Sequence, residues 1–384
     1  MSFELAEVYL EIQSEAGAVA RAVEPLAAEA DGMSTVHPGV LEALRASRLC
    51  ELMVPASHGG RFERVDPLAV AVAREVLMAT SSHLDSLFAL QGIGSFALSR
   101  GGRPDLKDEW LPRVATGEVL AALGLTEPEA GSDLKSVTTE LRDGDDGLRL
   151  SGSKSFISNG GAAGFYTVLA RDGDGHTMVF VPADSPGLRT EPTPEIIAPH
   201  VLAEVEFDDV PIDPEWILGQ RRAGFDLVFA TLSVFRVSVA GASLGLAQAA
   251  LEEGAVHASN REQFGRPMAR LGPIAGMLGE SWAELEAARL LTYRAGEQAR
   301  TDPEGSLHLS SMAKLQASEV AGRIVDRSVQ IMGRWGLVRD SKIERLYRQA
   351  RPMRIYEGGS QVLRLGIARE LVNEMGRRRH DAGS

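Results

Sequence analysis

Phe165-Tyr166-Thr167-Val168-Leu169-Ala170, followed by Asp172-Gly173-Asp174-Gly175 and then Met178-Val179-Phe180-Val181, is the stretch on which the fold turns. Two short runs rich in β-branched and aromatic residues flank a turn of Asp and Gly, which is the pattern of a hairpin and not of a helix. Outward from it, Leu148-Arg149-Leu150 and Val205-Glu206-Phe207 are runs of the same kind, with Asp143-Gly144, Ser185-Pro186-Gly187 and Asp208-Asp209 as turn signals. On the N-terminal side, Val40, Leu41, Leu44 and Leu49, then Leu68, Val72, Ala73, Val76 and Leu77, fall at helical spacing. Residues 55–67 and Gly101-Gly102-Arg103-Pro104 read as connectors. Beyond Gly224 the helical period returns and runs to Leu371, broken by Gly265-Arg266-Pro267, Thr301-Asp302-Pro303 and the 333–336 turn. The predicted class is α+β, mostly helical: a helical domain over 1–119, a β-domain over 120–224 and a second helical domain over 225–384. The most apolar long stretch, 227–251, contains Arg236, Gln248, serines and glycines, and predicts a buried helix pair instead of a membrane span.

A chain of 384 residues with a 44% hydrophobic fraction has material for two or three cores. Its net charge of −13 argues against general binding to nucleic acid or an anionic membrane surface, so an anionic ligand would need a local basic pocket. The acidic start Met1-Ser2-Phe3-Glu4-Leu5-Ala6-Glu7 is unlike a signal peptide. The single cysteine, Cys50, excludes an intramolecular disulfide and a cysteine-rich metal site; it fits a reducing cytoplasm and reads as a small core residue. The basic end Arg377-Arg378-Arg379-His380 reads as a solvated terminus.

Arg354-Ile355-Tyr356-Glu357-Gly358-Gly359-Ser360-Gln361 carries the chemistry most directly. It sets one carboxylate between an aromatic and two glycines, after arginines at 345, 348, 351 and 354 and a helix interruption at Pro352. Glu357 is a candidate general base in a ligand pocket. The other reading is a helix-start turn whose Glu interacts with first-turn amides.

Five separated motifs resemble those of the acyl-CoA dehydrogenases, flavoenzymes that desaturate acyl thioesters, and the resemblance covers essentially the full length. It implies a middle domain that is β-barrel-like and a C-terminal four-helix bundle. Leu125-Thr126-Glu127-Pro128-Glu129-Ala130-Gly131-Ser132-Asp133 is similar to the segment that meets the flavin ring, with Leu125 and Thr126 against the cofactor and Ser132 along the thioester ligand. Gly152-Ser153-Lys154-Ser155-Phe156-Ile157-Ser158-Asn159-Gly160-Gly161 is similar to the segment whose aromatic flanks the isoalloxazine and whose hydroxyl reaches flavin N5; those places fall to Phe156 and Ser158, where the family usually has Trp and Thr. Either segment alone also reads as an ordinary turn. Arg261-Glu262-Gln263-Phe264-Gly265 resembles the helix end whose Arg reaches the FAD pyrophosphate across a subunit boundary, with Phe264 also at the cofactor. Gln330-Ile331-Met332-Gly333 resembles the Gln and Gly-rich turn that cradle the same cofactor, with Arg334 where a second Gly is usual and Gly272 where a Gln is common.

The fifth motif, 355–361, resembles the one that holds the family's catalytic base. It implies Glu357 as that base, Tyr356 and Gly358 at the substrate, and Gly359 and Gln361 at the cofactor, with Gly359 where Thr is usual. The alternative base position in some branches is Phe235 here, and Arg236 beside it is expected near the ligand or in a structural ion pair. His200, in a turn where many members carry an Arg, stays open between a packed side chain and a catalytic one. The implied chemistry is α,β-desaturation of an acyl-CoA or acyl-carrier-protein thioester with FAD, electron-transfer flavoprotein as acceptor, and a homotetramer in the cytoplasm. The rivals are an oxygen-using oxidase or monooxygenase of the same fold and a non-turnover flavin-containing binding protein. A carboxylate titrating near ~4.3 is a weak base for an α-proton, so desolvation has to raise it.

Overall fold

The computed structural model describes residues 5–303 and 305–381. The start Met1–Glu4 of the acidic segment and the side chains of Arg378 and His380 lie outside the described residues. Six helices come first: α1 (Glu7–Val23), α2 (Ala27–Ala30), α3 (Pro38–Ala46), α4 (Pro67–Thr80), α5 (Ser82–Gly101) and α6 (Pro104–Ala115). Proline opens α3, α4 and α6, where its missing N–H costs nothing. Asp66 caps α4 by accepting from the Leu68 and Ala69 amides, and Ser81 caps α5 through Leu84. Cys50 is buried in the core of this layer.

Eight strands follow: β1 (Ala121–Gly124), β2 (Glu140–Gly144), β3 (Gly147–Ser158), β4 (Phe165–Asp172), β5 (Gly175–Pro182), β6 (Leu188–Pro192), β7 (Leu202–Ile212) and β8 (Ile217–Leu218). They form one sheet in the order β6-β7-β3-β2-β4-β5-β8, with β1 added parallel to β4. β4 is buried along nearly its whole length, which is why its sequence is a continuous apolar run. One face packs on the helices, where Trp110 of α6 stands edge-on to Phe165 and Phe180 at 5.4 and 5.2 Å.

The chain then returns to helix: α7 (Gly224–Asn260), the two-residue strands β9 (Glu262–Gln263) and β10 (Arg266–Pro267), α8 (Gly272–Thr301), α9 (Leu307–Met332), α10 (Lys342–Ala350) and α11 (Ser360–Asp381). α7, α8 and α9 share one core, α11 packs on α9 as the fourth helix of the bundle, and α4 packs against α7. α9 runs parallel to α7: Ser306 before its start meets Ser233 at 2.9 Å, and Ser328 near its end lies against Gly254.

The expected helix pair over 227–251 is instead one uninterrupted helix of 37 residues. Its glycines are contacts, not breaks. A Cβ at Gly241 would stand 2.2 Å from the Ala71 carbonyl oxygen and one at Gly245 would stand 1.9 Å from that of Glu75, so both admit the α4 backbone. By length and composition α7 could cross a membrane, yet 72% of its most apolar window is buried within the protein.

Candidate functional site

Glu357 sits in the turn between α10 and α11, three residues before α11 begins, with a backbone φ of 55°. A non-glycine residue there is strained, and strain of this kind persists only where the surroundings impose it. Two cations, the half-buried Arg236 and the buried Lys314, do so through the backbone. Arg236 Nε donates to the Glu357 carbonyl at 2.9 Å, and Lys314 Nζ donates to the Gly358 carbonyl at 2.9 Å. Arg236 also donates to Ser311 Oγ at 3.0 Å. Gly358, at φ 99°, admits the guanidinium: a Cβ there would lie 2.9 Å from Arg236 Nη2.

The Glu357 carboxylate is left over. Its Oε2 is buried with no hydrogen-bond partner, and it makes no ion pair with another described residue. Desolvation raises its pKa above the ordinary carboxylate value, against the opposing pull of Arg236, Lys314 and Arg74. Burial also pulls Lys314 down to about 8. The helix-start alternative does not hold, because the carboxylate caps no amide of α11.

Behind this turn lies a fully buried ion pair that the sequence reading missed. Arg74 of α4 grips Asp85 of α5 with two bonds, 2.9 and 2.6 Å, and donates to Ser238 of α7 at 2.9 Å. A lone Arg in the apolar run Val70-Ala71-Val72-Ala73 was the available signal. Lys314 was missed for a plainer reason: a lysine in an amphipathic helix ordinarily faces water.

A second wall comes from the β-domain. Burial pushes the Glu127 carboxyl up, but a bond from Lys154 Nζ (2.8 Å) and the Thr138 and Thr139 amides (2.6 and 2.8 Å) outweigh it and hold the pKa at about 2. Lys154 also donates to the Leu125 carbonyl and Ser155 N to that of Thr126, so Leu125 and Thr126 are fixed beside β3. β3 breaks register with β7 between Lys154 and Ile157; the break leaves Phe156 at φ 55° and 48% exposed. Ser158 resumes pairing with Leu202 and places its hydroxyl 2.9 Å from His200 Nε2.

The first turn of α5 joins the two walls. Asp85 holds Arg74, and Ser86 Oγ lies 3.2 Å from His200 Nδ1. Asp31 accepts from Ser81 Oγ, Ser82 Oγ and the His83 amide, while Arg348 of α10 donates to the Ile197 carbonyl in the loop that carries His200. The structure thus assembles Arg236, Tyr356, Glu357 and Gly358 on one side and Leu125, Thr126, Phe156 and Ser158 on the other. Gly359 adjoins the first set, with Gln361 exposed in the first turn of α11. Ser132 is exposed and makes no hydrogen bond or ion pair with another described residue.

Arg261, Phe264, Gln330 and Gly333 lie elsewhere, at the far ends of α7 and α9. Arg236 and Arg261 are 25 positions apart on one helix, which at about 1.5 Å per residue separates them by roughly 38 Å. Phe264 tips the β9–β10 hairpin at φ 54° and is 91% exposed; Arg261 makes no ion pair with another described residue; a Cβ at Gly333 would meet nothing. These residues fit a flat aromatic group and an anion: exposed aromatic faces at Phe156 and Phe264, a spare guanidinium, and an open glycine turn.

The chain matches the acyl-CoA dehydrogenase N-terminal domain over residues 10–118, the middle domain over 122–210 and the C-terminal domain over 222–372. It is 32% identical to the cyclohexane-1-carbonyl-CoA dehydrogenase of Geobacter metallireducens, covering 92% of this chain and 94% of that one. Among solved structures it is similar to butyryl-CoA dehydrogenase from Megasphaera elsdenii, at 28% identity and a TM-score of 0.92 over 97% of this chain and 100% of that one. It is also similar to a chain from the structure "Electron transferring flavoprotein of Acidaminococcus fermentans: Towards a mechanism of flavin-based electron bifurcation", at 29% identity and 0.92 over 97% and 99%.

Proposed function

The chain belongs to the acyl-CoA dehydrogenase family of oxidoreductases, and from that premise we propose that it desaturates the α,β-bond of an acyl-CoA thioester with FAD as cofactor and Glu357 as base. The observation that carries this reading is the buried, unpartnered Oε2 of Glu357 on a backbone held by Arg236 and Lys314. A base that is desolvated, raised in pKa and without a competing hydrogen bond is prepared to take a proton from carbon. Arg236 and Lys314 stay attached to carbonyls, so they orient the turn without neutralising the carboxylate directly. The Glu357 N–H, which has no acceptor among the described residues, supplies a donor for the thioester oxygen as negative charge develops there. Tyr356 and Phe156 would shield the reacting carbons from water, and Thr126 and Ser158 would offer hydroxyls to the flavin. A bound FAD would supply the acceptor for the β-hydride.

Arg261, Phe264, Gln330 and Gly333 serve a cofactor in a neighbouring copy; the separation of roughly 38 Å along α7 supports this reading, because it is too long for one dinucleotide to span. The assembly is a homotetramer built as a dimer of dimers, with electron-transfer flavoprotein as the electron acceptor. The test is Glu357→Gln, which keeps size and hydrogen bonding but cannot take the proton. In anaerobic stopped-flow mixing with a thioester that bleaches the wild-type flavin, its reduction rate falls at least about 10²-fold while thioester binding persists. A wild-type rate in that variant would remove Glu357 from the chemistry.

A further inference from the structure

His200 is a titratable side chain at the junction of the two walls that the reaction above does not use. It precedes β7, with Nε2 2.9 Å from Ser158 Oγ and Nδ1 3.2 Å from Ser86 Oγ. Neither hydroxyl makes another hydrogen bond among the described residues. Desolvation, with His83 nearby, drives its pKa down to about 4, so at neutral pH the ring carries one N–H and one lone pair. A neutral imidazole between two hydroxyls permits two directional chains. If the proton is on Nε2, Ser86 O–H donates to Nδ1, Nε2–H donates to Ser158 Oγ, and the Ser158 proton is turned away from the protein. If it is on Nδ1, Ser158 spends its proton on the ring and has only lone pairs to offer.

We propose that His200 is a positioning residue that fixes the direction of the Ser158 hydroxyl: with its proton on Nε2 it makes Ser158 a hydrogen-bond donor toward the flavin N5. This rests on the placement of Ser158 at the ring edge in the reading above. Only the Nε2 tautomer gives all three groups a partner once an acceptor lies beyond Ser158, and the Ser86 hydroxyl is free to donate to Nδ1 in that tautomer. Ser86 sits on α5 in the turn braced by Asp31 and Asp85, so the ring is tied to the helical domain as well as to the strand that carries Ser158.

A hydroxyl constrained to donate favours oxidised N5, which accepts, over reduced N5, which carries a hydrogen. His200→Leu, which keeps bulk and removes both ring nitrogens, therefore raises the reduction potential of the bound FAD. The expected size is a tenfold shift in the reduced-to-oxidised ratio, about 30 mV for a two-electron couple. His200→Gln, which retains an N–H donor, recovers most of the wild-type value. The effect runs through one hydroxyl, so in a Ser158→Ala background His200→Leu produces no further shift.

The measurement is spectroelectrochemical titration of the purified holoproteins at matched FAD content. A potential unchanged by His200→Leu, or a shift that persists in the Ser158→Ala background, overturns the proposal. If His200→Leu does not retain FAD, Ser86→Ala replaces it, and is expected to shift the potential in the same direction; no shift there overturns the proposal equally. A Ser158→Ala protein with the wild-type potential would instead overturn the placement of Ser158 at N5, a separate failure.

Discussion

Lys314 shows how a residue that does not bond the base can set the pH at which it works. Its ammonium is buried, makes a single bond, to the Gly358 carbonyl, and holds down the pKa of Glu357. Lys314→Met removes that cation and leaves Arg236 and Arg74 to oppose desolvation. The Glu357 carboxyl then titrates higher, so the acid limb of flavin reduction moves to higher pH, by about one unit. A pH series of stopped-flow reduction rates checks this; an acid limb that stays in place would mean Lys314 serves only the backbone turn. The Glu357 turn stands out in the sequence as a carboxylate between an aromatic and two glycines, whereas Arg236, which holds it, lies 121 positions away. His200 stayed open in the sequence, since its partners lie 42 and 114 positions away and only Ser158 belongs to a recognisable motif.

At the scale of elements, α7 is where pattern reading failed most instructively. Glycines and serines inside an apolar run resemble breaks, and on that ground the run reads as two helices. In the structure Gly241 and Gly245 lie one turn apart against Ala71 and Glu75 of α4, so the missing side chains are what lets two helices approach. Gly245→Ala improves the local propensity of α7 by about 1 kcal/mol but drives a methyl into the Glu75 carbonyl. Overpacking of that kind costs about 1–3 kcal/mol, more where the obstacle is backbone, so the variant melts at a lower temperature in differential scanning calorimetry. A variant as stable as wild type would show that α4 shifts freely. Among strands, β4 and β5 were legible as apolar runs, whereas β6, Leu188-Arg189-Thr190-Glu191-Pro192, is a polar edge that only pairing with β7 defines.

The molecule as a whole stores two imidazoles in the neutral form. His83 and His200 are both lowered to about 4 by desolvation, against roughly 6.5 when unfolded. Between those values the unfolded chain binds more protons, so stability is fully present above about 6.5, declines as pH falls toward 4, and levels below that. The slope approaches 1.4 kcal/mol per pH unit for each group. Thermal melts at pH 7.5 and 5 check the sign, and His83→Gln, which keeps an acceptor for the His37 amide, flattens the acid loss by its share. A melting temperature indifferent to pH across that window would contradict the neutral assignment. At this scale too, α11 leaves Leu365 and Val372, seven positions apart on one side of the helix, exposed.

The length of α7 has a genetic consequence. If its two ends serve different cofactors, a protomer is two half-enzymes joined by a rod, and damage at one end leaves the other usable. Subunits carrying Glu357→Gln and subunits carrying Arg261→Ala, each impaired alone, would complement one another when unfolded together and refolded as a mixture. In a hybrid pair, one site inherits both lesions and its counterpart inherits neither. A one-to-one mixture assorting at random puts half of all pairs in that arrangement, so roughly a quarter of all sites are intact and activity rises to about that fraction of wild type. Co-expression of the two variants, with subunits distinguished by mass and activity measured against FAD content, reads the outcome directly. If every site were completed within its own chain, no mixture would exceed the average of its parents.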